Sequence, residues 1–169
     1  MMIIRRQTRQ IRLGDLLIGG GAPISVQSMT NTDTVDTEKT AEQIHRLEAA
    51  GCEIIRVAVP DLDAARAIRL IHESIAIPLI ADIHFDWRLA VAAMEHGAQG
   101  IRINPGNLGG PDNLQQVVDA AAQHQVPIRV GVNSGSIEKD LLERHGYPTA
   151  DNPQALIESA VRNVQLVEG

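Results

Sequence analysis

Leu79-Ile80-Ala81-Asp82-Ile83-His84 carries Leu79, Ala81 and Ile83 in one phase and Ile80, Asp82 and His84 in the other. In an extended strand, side chains two apart share a face. One face of this segment is therefore aliphatic, and the other ends in a carboxylate and an imidazole. The pattern recurs on both sides of it. Ile55, Val57 and Val59 alternate with Arg56 and Ala58, and Ile101 and Ile103 alternate with Arg102 and Asn104. Ile128, Val130 and Val132 alternate with Arg129, Gly131 and Asn133. With Ile24–Met29 these make five apolar runs (24–29, 54–59, 79–84, 101–104 and 128–133), whose starts lie about 22 to 30 residues apart, the length of one strand–helix unit.

The segments between the runs read as helices. Asp36, Asp61 and Asp86 stand where N-caps belong, and Gly51 and Gly97 where helices stop. Leu114, Val117, Val118, Ala121 and Ala122 form one stripe behind Asp112 as N-cap. Leu156, Ile157, Ala160, Val161 and Val164 form another, with Asn152 as N-cap and Pro153 at the first helical position. Ahead of the repeat, 11–18 followed by three glycines reads as a short hairpin able to cover the bottom of a barrel. Arg5, Arg6, Arg9 and Arg12 precede the first acid, Asp15, and read as a solvated arm rather than a targeting signal. The expected division is an arm and hairpin over 1–22 and a repeat over 23–169.

Strand, helix, strand, helix implies an α/β fold with a parallel sheet and helices outside it. A doubly wound nucleotide-binding sheet would carry a glycine-rich loop after its first strand. Gln27-Ser28-Met29-Thr30-Asn31-Thr32 holds no glycine, which favours a TIM-barrel-type (β/α) repeat. Five units at about 29 residues each fall short of the eight units, roughly 250 residues, of a closed barrel. The expectation is an incomplete barrel, the N-terminal part of something larger.

Composition narrows the function. Of 169 residues 44% are hydrophobic but only 2% aromatic, so the core is aliphatic and base stacking is disfavoured. Fifteen Lys and Arg against 21 Asp and Glu give a net charge of −6, which argues against a nucleic-acid binder. A single cysteine, Cys52, excludes an internal disulfide and a cysteine cage, and reads as a packing residue. No apolar run approaches the roughly 20 residues of a membrane span. These features point to a soluble protein of a reducing, cytoplasmic compartment.

Arg56, Asp82, His84, Arg102, Asn104, Arg129 and Asn133 thus share the inward phase, where a barrel usually packs branched apolar side chains. Inward arginines are costly unless they meet anions. One explanation is an internal ion network closed by Asp82. The other is a site for phosphate or diphosphate, whose oxygens suit guanidinium forks. The loops Asn104-Pro105-Gly106-Asn107-Leu108-Gly109-Gly110 and Asn133-Ser134-Gly135-Ser136 suit the second, offering close backbone approach and polar donors. His84 reads either as an acid/base group or metal ligand, or as a hydrogen-bonded structural histidine. His45, His72, His96, His124 and His145 have no partner spacing and read as surface residues.

Four motifs together resemble one family. Val26-Gln27-Ser28-Met29-Thr30-Asn31-Thr32, Ala81-Asp82-Ile83-His84-Phe85-Asp86, Arg102-Ile103-Asn104-Pro105-Gly106-Asn107 and Gly131-Val132-Asn133-Ser134-Gly135-Ser136 stand in the order and spacing of the bacterial 4-hydroxy-3-methylbut-2-en-1-yl diphosphate synthases. The resemblance runs from about Arg6 to the last helix; Ser134 departs from relatives that have alanine. It implies a complete barrel followed by a domain whose cysteines hold a [4Fe–4S] cluster, which Cys52 does not match. The implied reaction is the reductive opening of 2-C-methyl-D-erythritol 2,4-cyclodiphosphate in non-mevalonate isoprenoid biosynthesis, with flavodoxin or ferredoxin as electron donor and a head-to-tail homodimer. Arg56, Arg102 and Arg129 would clamp the diphosphate, assisted by Asn104, Asn133 and Ser134. Asp82 and His84 would stand near the carbon skeleton, and a further basic residue and acid would come from later strands. Two other readings remain open at this level: a pterin-binding barrel resembling dihydropteroate synthase, and a non-catalytic phosphate-binding half-barrel.

Overall fold

The computed structural model describes residues 6–169, and Arg5 of the basic arm lies outside them. Residues 6–10 run without regular structure to a two-stranded antiparallel hairpin, β1 (Ile11–Leu13) and β2 (Leu16–Ile18). Five parallel strands follow in sequence order: β3 (Gln27–Met29), β4 (Ile54–Ala58), β5 (Leu79–Asp82), β6 (Gly100–Ile103) and β7 (Ile128–Val130). The helices between and after them are α1 (Thr37–Ala49), α2 (Leu62–Ser74), α3 (Trp87–Glu95), α4 (Pro111–His124), α5 (Lys139–His145) and α6 (Gln154–Glu168). Consecutive strands joined by helices and paired as neighbours are the (β/α) arrangement that the alternation implies. Among the described residues, no helix is long and apolar enough to cross a membrane.

The aliphatic phase packs outward. Ile55, Val57, Val59, Leu79, Ala81, Ile83, Ile101 and Ile103 are at most 2% exposed and meet α1 to α4 in one cluster with Ile44, Ile68, Ile71, Ala90 and Val117. The hairpin closes the lower, N-terminal end of the strands. Leu13 is 2% exposed and packs on Ile54 and Ile80. A Cβ added at Gly100 would stand only 2.6 Å from a methyl of Leu13, so the missing side chain makes room for this plug.

Asp36, Asp61 and Asp86 cap α1, α2 and α3 by accepting from the backbone N–H groups of Lys39, Ala64 and Arg88. Gly51 and Gly97 follow the ends of α1 and α3 with φ of +96° and +98°, left-handed values that favour glycine. Several boundaries differ from expectation. The helix read behind Asp112 begins two residues earlier: Pro111 takes the first turn, where a missing N–H is harmless, so Gly110 precedes the helix and Asp112 lies in its first turn. Asn152 does not cap α6, because its side chain donates to the His145 carbonyl at 2.7 Å, and Pro153 takes the cap position instead. The apolar runs at 24–29 and 128–133 shorten to three-residue strands. Both are sheet edges with a neighbour on one side only, and Ile24 and Val26 stay 74% and 55% exposed.

The chain after β7 also holds one helix more than the repeat suggests. α5 is buried through Leu141, which packs with Ile137 and Ala155. α6 turns Ala155, Ser159 and Asn163 inward, while Ile157, Val161 and Val164 of the anticipated stripe remain 40–52% exposed.

Candidate functional site

Strand register assembles the polar side chains. Ala58 pairs with Asp82, Asp82 with Arg102, and Arg102 with Arg129, so three charged residues of three adjacent strands stand at one level. One step lower, Met29 pairs with Arg56 and Arg56 with Ile80. An aliphatic floor of Ile54, Ile80 and Leu13 lies beneath this polar layer, next to a cavity of about 580 Å³ that Gln27 and Arg129 also line. His84, Asn104 and Asn133 lie just past the C-terminal ends of β5, β6 and β7, the end at which barrel sites are built.

Asp82 is the hub. Its side chain is 5% exposed, with Oδ2 3.4 Å from Arg56 Nε and Oδ1 3.3 Å from Arg102 Nη1. His84 Nδ1 lies 3.5 Å from Oδ1, while the rest of the imidazole is largely open to solvent. The separations are longer than those of a tight charge-assisted bond, so the carboxylate holds two guanidiniums in place without saturating either. Arg56 Nε also faces the Met29 sulfur at 3.3 Å. Among the described residues, Arg129 joins no carboxylate within ion-pair distance; its Nη1 donates to Gln27 Oε1 at 2.8 Å, linking the fifth strand of the sheet back to its first. The ion network read from sequence thus forms around Asp82 but leaves Arg129 outside it. Of the three guanidiniums on this face, those of Arg56 and Arg102 share the Asp82 carboxylate, and that of Arg129 is held by Gln27.

The two loops are fixed to each other. Asn104 is 2% exposed, and its Nδ2 donates to Ser136 Oγ at 2.7 Å, while its buried Oδ1 has no partner among the described residues. Asn133 caps the turn Ser134–Ser136, accepting from Gly135 N–H at 3.0 Å, and Ser134 is exposed on the same turn. Phe85 is 71% exposed and sets its ring edgewise to His84, beside a cavity of about 220 Å³ with Asp82, Ala58 and Pro60.

Two positions that hold the loops and side chains of the candidate site have no signal of their own in the sequence. Asn163 of α6 is 2% exposed; its Oδ1 accepts from the Gly106 N–H at 3.2 Å, and its Nδ2 donates to the Ser159 carbonyl at 2.9 Å and faces Glu138 Oε1 at 3.4 Å. It anchors the loop after β6 from 57 residues away. Gly131 gives the Arg102 guanidinium its resting place, since a Cβ there would fall 2.5 Å from Arg102 Cζ. Among the histidines read as surface residues, His145 is instead engaged, its Nε2 lying 2.8 Å from Glu158 Oε2, and Nδ1 of His72 is buried without a partner among the described residues. Cys52 is 6% exposed with Sγ 3.1 Å from the Ile54 carbonyl, a packing position. Among the described residues, no group of three or more His, Cys, Asp or Glu side chains is placed to hold a metal ion.

Comparison with known proteins identifies the family of the chain. The chain is 68% identical over 167 residues to the 4-hydroxy-3-methylbut-2-en-1-yl diphosphate synthase (flavodoxin) of Desulfotalea psychrophila, covering 99% of this chain and 46% of that protein. It is 54% identical over 168 residues to the protein of the same name from Nitratidesulfovibrio vulgaris, with 99% and 43% covered. The chain therefore spans less than half the length of these relatives. Among solved structures it superposes on dihydropteroate synthase from Stenotrophomonas maltophilia with a TM-score of 0.65 at 18% identity, over 95% of this chain and 60% of that one, a likeness of fold alone. The model of the GcpE TIM-barrel domain matches residues 8–169, and with nearly every residue inside that match the chain belongs to the GcpE family.

Proposed function

We propose that this chain is the diphosphate-binding barrel portion of an enzyme that reductively opens 2-C-methyl-D-erythritol 2,4-cyclodiphosphate to 4-hydroxy-3-methylbut-2-enyl diphosphate. The observation that carries the reading is the excess of guanidinium over carboxylate on this face: Arg56 and Arg102 share Asp82, and Arg129 is held by the neutral Gln27. A cyclic diphosphate supplies the missing negative charge, and its oxygens suit two-pronged donors. Asn133 and Ser134 add polar contacts from the turn after β7, and Asn104 acts through its orphaned Oδ1 or by holding that turn. Asp82 orients the His84 imidazole through Nδ1, which leaves the other ring nitrogen free to hand a proton to the departing oxygen.

The two electrons come, in this reading, from reduced flavodoxin, the donor printed in the relatives' names. A [4Fe–4S] cluster would pass them on singly. The residues here do not fit one: Cys52 is the sole cysteine and is buried against backbone carbonyls. Cluster ligands therefore belong to other parts of the enzyme, whose homodimer would bring them over this mouth, in the cytoplasm. Turnover by the full-length enzyme with reduced flavodoxin and the cyclic diphosphate tests the proposal. Product formation that depends on the cyclic diphosphate supports it. Binding of a pterin in preference to the cyclic diphosphate would move the assignment to the dihydropteroate synthase class.

A further inference from the structure

The Arg102 side chain is 19% exposed and does not stand free in the barrel. It lies across the backbone of the next strand at Gly131, whose N–H continues the ladder by donating to the Ile103 carbonyl at 2.8 Å. A Cβ built on Gly131 would stand 2.5 Å from Arg102 Cζ and closer still to Nε and Nη2. Gly131 is not among the glycines of positive φ, so the backbone there is open to any residue. The glycine is needed for the space above it rather than for its conformation. That space puts Nη1 of Arg102 3.3 Å from Asp82, at the register level of Arg129.

We propose that Gly131 is a positioning residue for the diphosphate site: its bare Cα forms the berth that holds the Arg102 guanidinium flat against β7 and aimed at the anion. The inference rests on the reading that Arg102 contacts the diphosphate. Alanine at this position meets the far end of a flexible side chain, so the guanidinium yields and the strand does not. The fold persists while the donor is displaced. Serine acts in the same way with one more atom.

The test is a double-mutant cycle in the full-length enzyme, read by calorimetry with 2-C-methyl-D-erythritol 2,4-cyclodiphosphate, by inorganic pyrophosphate as a second probe, and by thermal melts without ligand. Gly131→Ala is expected to weaken cyclic diphosphate binding by roughly 10- to 100-fold, the worth of one misplaced charge-assisted contact, with an unchanged melting midpoint. In an Arg102→Met background the same change is expected to add less than about twofold, because the group it displaces is gone. Equal losses in both backgrounds, or a Gly131→Ala protein that fails to fold, would assign the glycine to the backbone and overturn the proposal. Unchanged binding in Gly131→Ala beside weakened binding in Arg102→Met overturns the berth and leaves the diphosphate reading intact. Wild-type protein that binds neither probe, or binding indifferent to Arg102→Met, removes the reading on which the berth rests and the berth with it.

Discussion

Asp82 decides how the arginines behave before any ligand arrives. Its carboxylate is nearly buried and shared by Arg56 and Arg102, which are 24% and 19% exposed, while Arg129 relies on Gln27. Removing one guanidinium from such a set relieves repulsion and still leaves Asp82 paired. Arg102→Met is therefore expected to leave the unliganded protein as stable or more so, within about 1 kcal/mol, by thermal melts. A loss above about 3 kcal/mol would show instead that the Arg102–Asp82 pair holds the barrel together. Arg102→Lys should restore little ligand affinity, since a point charge reproduces neither the fork nor the flat contact with Gly131. At this scale the sequence is unusually legible. Period-two alternation sorts Arg56, Asp82, Arg102 and Arg129 to one face without any tertiary information, because a strand has only two faces. It cannot reveal Gly131 or Asn163, whose roles depend on which atoms a neighbouring element brings against them.

Among the elements, α1, α2 and α3 are read correctly from Asp36, Asp61 and Asp86, because a cap is a local hydrogen bond, whereas Asp112 lies inside α4 because Pro111 opens that helix. The last unit resists for a tertiary reason: α6 buries its small and polar face to reach the loop after β6 and leaves its aliphatic stripe outside. Asn163 is the anchor of that contact, and Asn163→Leu should free the Gly106 N–H and leave Glu138 and Ser159 short of a donor. The expected cost is on the order of 1–3 kcal/mol, with faster amide exchange at Gly106 than at Gly131. Exchange at Gly106 that stays as slow as in the parent would show the loop to be held by other contacts.

α5 is tied to α6 by charge. Arg162 donates two 3.0 Å bonds to Asp140, and Glu158 receives Arg144 and His145. Hydrogen bonding to Arg162 holds the Asp140 carboxyl below its ordinary range, and hydrogen bonding to His145 does the same for Glu158. For carboxyls whose folded value is depressed, the stabilisation is fully present above the unfolded value, about pH 4, and is lost as pH falls through the lower folded value. Limited proteolysis is expected to cut near α5 below about pH 4 and not at pH 6. Asp140→Asn should permit cutting at both, and equal resistance throughout would remove charge from the account of how α5 docks.

As a whole molecule, the described residues form five units of a barrel in which β3 and β7 are the edges, each paired on one side only among those residues. Ile24 and Val26 are exposed beside the first edge, and Ile157, Val161 and Val164 on α6. Unpaired parallel edges next to apolar surface favour association. Studied by itself, the chain is expected to elute as oligomers on size exclusion and to melt broadly; a monodisperse monomer with a sharp melt would contradict this. The charged groups of the candidate site, by contrast, stand at register-paired positions of β4 to β7. That placement makes the central claim directly measurable. Calorimetry of the full-length enzyme with 2-C-methyl-D-erythritol 2,4-cyclodiphosphate should show Arg56→Met, Arg102→Met and Arg129→Met each losing on the order of 2–4 kcal/mol of binding, roughly 30- to 1,000-fold. Unchanged affinity in all three would contradict the diphosphate clamp and leave the arginines as an internal ion network.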